Sequence, residues 1–232
     1  MKKLILIKLL LLMAIFPSFA EGTKDDVEVL YKYQFGVDFQ IKLAKRLKLD
    51  IEPEFRFNEG YDKFHLNGGL SYKTFGCIYW GATYRLVVDR VESDSYSEVS
   101  TMGMGWNTNN YDSEVYHRYA FDVTYKDDFG RFTPSLRVRY NNFADEDVAD
   151  KEFLRYRAKV EYDIKKCKIT PFLSAEAYQE LDDNMLYKMR YATGFDLKTG
   201  KKSSLAFEYK FDFFILEYKN ANIFSVGYKY KF

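Results

Sequence analysis

Histidine, cysteine and proline are scarce in this chain: two, two and four among 232 residues. Each scarcity closes off a class of protein. Two separated histidines (His65, His117) and two separated cysteines (Cys77, Cys167) do not make a metal site, which needs three or four ligands at short spacing. So few cysteines also exclude a small disulfide-built domain. No glycine-rich phosphate loop is present, so neither a metal nor an organic cofactor is expected. The formal net charge is only +1, which gives no electrostatic reason to expect a nucleic-acid partner. Beyond the first twenty residues no apolar run reaches about 18 residues, so membrane helices are excluded.

What is present is aromatic. Tyrosine and phenylalanine contribute 21 residues each, while 30% of the chain is charged. Aromatic wealth without apolar runs fits a β-barrel with lipid on one face of every strand and water on the other.

Residues 1–20, MKKLILIKLLLLMAIFPSFA, have a basic start, an apolar stretch, a break at Pro17 and a small-residue finish at Ala20. That is the pattern of a secretory signal peptide cut after Ala20. Residues 21–232 are then one domain, and loss of Lys2, Lys3 and Lys8 leaves it a formal charge of −2.

Strict alternation runs from Val27 to the end. One face of the first segment carries Val27, Val29, Tyr31, Tyr33, Phe35, Val37, Phe39, Ile41 and Leu43; the other carries Glu28, Lys32, Gln34, Asp38, Gln40 and Lys42. A period of 2 at this length is incompatible with an amphipathic helix. Ten further segments follow, with apolar sets at Leu47–Phe57, Phe64–Tyr72, Ile78–Val88, Val115–Tyr125, Phe132–Tyr140, Leu154–Ile164, Ile169–Ala177, Tyr187–Leu197, Leu205–Ile215 and Phe224–Phe232. A tilted strand needs about 9 to 11 residues to cross a bilayer, whereas soluble strands average about 5 or 6. The expected fold is therefore all-β, a single transmembrane up-and-down antiparallel barrel closed by its C-terminal strand.

Single-chain bacterial barrels have even strand numbers. The eleven segments therefore predict twelve strands, with an extra one hidden around Val27–Tyr33, or ten as the alternative. Connections alternate between tight (Ala44–Arg46, Thr74–Gly76, Asp127–Gly130, Lys165–Lys168, Lys198–Lys202) and longer (Asn58–Lys63, Arg90–Asp112, Ala144–Glu152, Leu181–Leu186, Glu217–Ala221). Short turns face the periplasm in such barrels, which places the chain in the outer membrane of a Gram-negative bacterium. Outer-membrane lipid and the barrel-assembly machinery are then its expected partners. The Arg90–Asp112 loop, with Trp106, is the largest external feature and is expected to fold over rather than act as a lid.

The final alternation, Phe224, Val226, Tyr228, Tyr230 and Phe232, resembles the C-terminal assembly signal of outer-membrane barrels; Tyr228, Tyr230 and Phe232 would carry it. The stretches KRLKLDIEPEFRFNEG, ITPFLSAEAY and YKMRYATGFDLKTGKKSSLAFEYKF, with the terminal strand, resemble the outer-membrane barrel family filed as a domain of unknown function (number 2490). The resemblance rests on Arg56 ending the second strand, on Pro171, Phe172 and Glu176, and on Arg190 and Gly194 before a tight basic turn. It implies a barrel and no particular activity.

Alternation sends the charges inward, because Lys or Arg facing lipid at mid-depth costs about 2 to 4 kcal/mol. The outer-half lumen set is Arg56, Arg85, Arg118, Arg137, Arg139, Arg155, Arg157 and Arg190. Deeper lie Asp50, Glu52, Glu54, Asp122, Glu161, Asp163, Glu176 and Glu208. The arginines read as a vestibule for an anionic small solute or oligosaccharide, since guanidinium forks hold carboxylate and phosphate bidentately. The other reading is an internal ion-pair network that stiffens the barrel, and the roughly equal numbers of both signs favour it for most individual residues. A small channel for anionic or polar solutes is the function expected. A non-conducting structural barrel acting through its external loops is the alternative, and an outer-membrane hydrolase ranks below both. No serine shares a face with His117 on the neighbouring segments, so no catalytic residue is expected. Cys77 and Cys167 fall on turns well apart and are expected as free thiols.

Overall fold

A computed structural model describes residues 27–58, 61–92, 111–142, 151–215 and 217–232. Residues 1–20, expected as a signal peptide, residues 93–110 with Trp106, and most of the Ala144–Glu152 connection lie outside these.

Eleven strands are present among the described residues: β1 (Glu28–Lys42), β2 (Leu47–Asn58), β3 (Tyr61–Lys73), β4 (Ile78–Glu92), β5 (Tyr111–Lys126), β6 (Phe132–Asn141), β7 (Phe153–Tyr162), β8 (Ile169–Glu180), β9 (Leu186–Lys198), β10 (Ser203–Phe214) and β11 (Lys219–Lys231). They form one closed barrel in sequence order, every neighbouring pair antiparallel except β1 with β11.

The eleven described strands fall between the twelve and the ten expected from the even-number rule. No extra strand breaks away near Val27–Tyr33, because β1 is paired along its length with β11, from Glu28↔Lys219 to Gln40↔Lys231. With an odd number of up-and-down strands the first and last run the same way, so the closing ladder must be parallel. A parallel ladder has slanted bonds and is slightly weaker per residue than an antiparallel one, but an open edge in hydrocarbon would strand every donor and acceptor along it.

Burial is inverted relative to a water-soluble protein. Along β1 Tyr31, Tyr33 and Phe35 are exposed, while Lys32 and Gln34 are buried. The outside is an apolar belt that includes Phe55, Trp80, Tyr84, Phe121, Leu136 and Phe224. In water such a surface would be a liability; against lipid tails it is the matched surface. Aromatic pairs knit the belt across strands, Phe195 with Phe207 at 5.1 Å and Tyr33 stacked on Phe224 at 5.8 Å over the parallel seam.

The short turns close tightly where glycine takes a positive φ, Gly76 at 49° and Gly130 at 67°, backbone that glycine adopts without cost. In the Asn58–Lys63 connection, expected as a loop, Asn58 and Tyr61–Lys63 are strand: β2 and β3 pair as far as Asn58↔Tyr61. Cys77 and Cys167 are both free and lie at the short-turn end.

Candidate functional site

Inward-facing charges gather into two groups. The first spans β2 to β5. Arg56 donates through Nε to Glu54 at 2.5 Å, Arg85 to Asn67 at 2.5 Å, and Asn67 to Glu52 at 3.2 Å. Lys63 pairs with Asp89 at 2.7 Å. His65 is sealed inside this group at 0% exposure, opposite Glu54 in the ladder. Arg118 stands across from Arg85.

The second group is denser and covers β5 to β10. Two N–H groups of Arg139 reach one oxygen of Asp122, at 2.6 and 3.0 Å. Glu176 is a hub: one oxygen accepts from Arg137 at 2.8 Å, the other from Arg155 at 2.9 Å and from the Tyr178 hydroxyl at 3.2 Å. Arg155 also donates to that hydroxyl at 2.8 Å. Arg190 holds Asp212 fork to fork at 2.5 and 2.6 Å, and Lys188 meets the same carboxylate at 3.1 Å. Lys188 is fully buried, with its ammonium 4.6 Å from the Tyr178 ring centre and 4.9 Å from that of Phe214.

The ladder puts like charges face to face: Arg137 opposite Arg157, and Arg139 opposite Arg155. Such pairs repel unless an anion lies between them. Arg137, Arg139 and Arg155 each have a carboxylate. Arg157 makes no hydrogen bond or ion pair among the described residues, and its Nε is buried without a partner.

Glu161 and Glu208 belong to neither arginine group. Glu161 accepts from Lys126 at 2.8 Å and Lys159 at 2.9 Å, and Glu208 pairs with Lys210 at 3.1 Å. The expected segregation of arginine outward and carboxylate inward is therefore incomplete, because Asp89, Glu180 and Asp212 also sit near the loop ends of their strands. Packing changes along the axis too. Side-chain exposure is 6% at Glu176 and 3% at Asp212, against 42% at Lys126 and 36% at Lys229. The interior is filled in its loop half and looser toward the short turns.

An apolar cluster of Phe153, Tyr178, Tyr187, Phe214, Ala221 and Ile223, with Leu30 against it, contributes to that filling. Tyr187 was expected on the lipid face. A register shift between Tyr178 and Gln179 turns it inward, as an extra residue in a ladder reverses parity beyond it. Lys188, Asp212 and Tyr178 were not singled out as site residues from the sequence. Their inward parity was visible there, but their convergence depends on the register of three strands.

His117 sits on the outer face, its Nδ1 2.5 Å from the Tyr84 hydroxyl. No cluster of three or more His, Cys, Asp or Glu among the described residues is placed to hold a metal. At the seam, Tyr228 lies opposite Val37 and Tyr230 opposite Phe39. The Phe232 amide donates to the Gln40 carbonyl at 3.0 Å.

Two solved structures share part of this architecture. The β-domain of the Bordetella autotransporter Brka is 11% identical, with a TM-score of 0.41 over 76% of this chain and 80% of that one. The translocator domain of the autotransporter NalP from Neisseria meningitidis is 12% identical, with a TM-score of 0.39 over 74% and 70%. Likeness at this level carries no functional assignment. No curated protein matches the chain. The model of the DUF2490 family, described as proteins of unknown function, matches residues 33–217. That match spans all or part of every barrel strand except β11, and the chain belongs to the DUF2490 family.

Proposed function

We propose that the protein is an integral outer-membrane barrel of a Gram-negative bacterium, inserted by the barrel-assembly machinery. Its narrow lumen takes small anionic or polar solutes along the β5–β10 wall. One observation carries the reading: among the described residues Arg137 and Arg155 share Glu176, Arg190 and Lys188 share Asp212, Arg139 holds Asp122, and Arg157 has no carboxylate in ion-pair range. A wall of surplus positive charge in a low-dielectric interior concentrates anions and excludes cations. The filled loop half argues for a constricted, selective passage rather than a wide pore. The proposal includes no catalytic step, no cofactor and no nucleic-acid partner.

Planar-bilayer recording tests it. Discrete conductance steps with anion preference are expected. Replacing Arg137, Arg139, Arg155 and Arg157 together with Gln lowers that preference while the barrel still assembles. The wild-type preference shrinks as salt rises and the Debye length falls to about 3 Å at 1 M. A variant with unaltered selectivity overturns the proposal.

A second reading, a non-conducting barrel acting through its external loops, is favoured by the apolar cluster of Phe153, Tyr178, Tyr187 and Phe214 inside the loop end. Silence in the same recordings would select it.

A further inference from the structure

The four arginines of β6 and β7 form a square with three corners neutralised. Glu176 serves Arg137 and Arg155, Asp122 serves Arg139, and Arg157 has no carboxylate in ion-pair range. Glu176, opposite Arg157 in the ladder, and Glu208 both act on Arg157 electrostatically, but Glu176 is committed to Arg137 and Arg155 and Glu208 to Lys210 at 3.1 Å. The next inward row toward the short turns is Ser135 on β6, Lys159 on β7 and Ser174 on β8, in direct register. The open corner is thus bordered by two guanidinium forks, two hydroxyls and the Lys159 ammonium, which also pairs with Glu161 at 2.9 Å, with the committed carboxylate of Glu176 on its β8 side.

We infer that this corner is a binding subsite for a phosphate or sulfate group, free or as the ester of a small solute, held between Arg157 and Arg137. This rests on the reading of the lumen as an anion path and names the chemistry it selects. Inward-facing residues directly opposite have β-carbons about 5 Å apart, so two guanidiniums there approach one ligand from adjacent strands. A carboxylate has two oxygens and is satisfied by one fork. A phosphoryl or sulfuryl group has at least three terminal oxygens, enough for both forks and a third donor, Lys159 or a serine. Binding also relieves the repulsion of Arg157 by Arg137, which Glu176, opposite Arg157 in the ladder, offsets only in part.

The experiment follows thermal unfolding of the detergent-solubilised full barrel with inorganic phosphate, sulfate or acetate at matched ionic strength. Phosphate and sulfate raise the wild-type melting temperature, and acetate does so much less. Arg157→Gln binds phosphate roughly tenfold or more weakly, the loss of a charge-assisted contact. Without added oxyanion it is at least as stable as wild type, because an unpaired cation has been removed. Arg157→Lys keeps the charge but loses the fork, and its phosphate response is intermediate. Equal responses to all three anions, or equal phosphate responses in wild type and Arg157→Gln, overturn the subsite. So does failure of Arg157→Gln to assemble, since that would make Arg157 a structural partner. Phosphate binding without conductance would end the transport reading and leave the subsite standing; conductance without a phosphate response would do the reverse.

Discussion

A β-carbon on Gly194 would stand 2.1 Å from the carbonyl oxygen of Phe207, on the neighbouring strand β10. It would also meet the Glu208 Cα and the Phe172 ring, each at 2.9 Å. Backbone on one side and an aromatic ring on the other leave no room to yield.

Gly194→Ala therefore either shifts the β9–β10 register or blocks barrel closure, at a cost at or above the usual overpacking range of about 1 to 3 kcal/mol. Gly68→Ala is the control, because nothing lies within 4 Å of its added carbon. Heat-modifiable gel migration is the measurement. Equal folded fractions for the two variants would show that the β9–β10 contact is slack.

Glu176→Gln strands two buried guanidiniums at once, Arg137 and Arg155. Breaking a buried pair from one side costs about 3 to 5 kcal/mol. Urea unfolding in lipid vesicles should show a loss of that order. Arg157→Gln, which breaks no pair, should lose nothing measurable in the same assay.

Deleting Phe232, or replacing it with Ala, should lower outer-membrane assembly. It weakens the end of the parallel seam, where the Phe232 ring lies 6.3 Å from Phe39 and 4.9 Å from Tyr230. Membrane fractionation with quantitative blotting reads this out. Unchanged levels would make the terminal aromatic incidental to assembly.

Cys77 lies at the short-turn end beside Asp127. A hydrogen bond to the Asp127 carboxylate, with lesser contributions from desolvation and from that charge, raises the thiol above its ordinary pKa. The same hydrogen bond lowers Asp127. The raised thiol is the protonated form over a wider range, so alkylation of Cys77 should reach half its maximal rate at a higher pH than for a free cysteine. Asp127→Asn removes the acceptor charge and should move that midpoint down. A midpoint unmoved by the substitution would show that the carboxylate does not hold the thiol.

Much of the barrel was legible from parity. Tyr31, Tyr33 and Phe35 face out and Lys32 and Gln34 face in because neighbouring side chains of an extended strand point to opposite sides. That is a property of the local chain and needs no tertiary knowledge. The tight turns were legible for the same reason, since Gly76 and Gly130 stand where the chain must reverse. The inward placement of Arg56, Arg137, Arg155 and Arg190 followed directly.

Partnership was not legible. Which carboxylate meets which arginine depends on the register between strands, and a shift of one residue turns a side chain to the other face. Such a shift at Tyr178 and Gln179 brings Tyr187 inward, against its sequence parity. Asp212 and Lys188 carry inward parity in the sequence, yet only the pairing of β8, β9 and β10 packs them against Tyr178. The strand count was settled in the same way. Period and turn lengths describe each hairpin, while closure depends on whether β1 can satisfy its free edge, and the ladder from Glu28 to Gln40 against β11 does so with eleven strands. The amino-acid sequence determined the side each residue faces, because that is set within a strand; the tertiary structure decided what each residue meets, because that is set between strands.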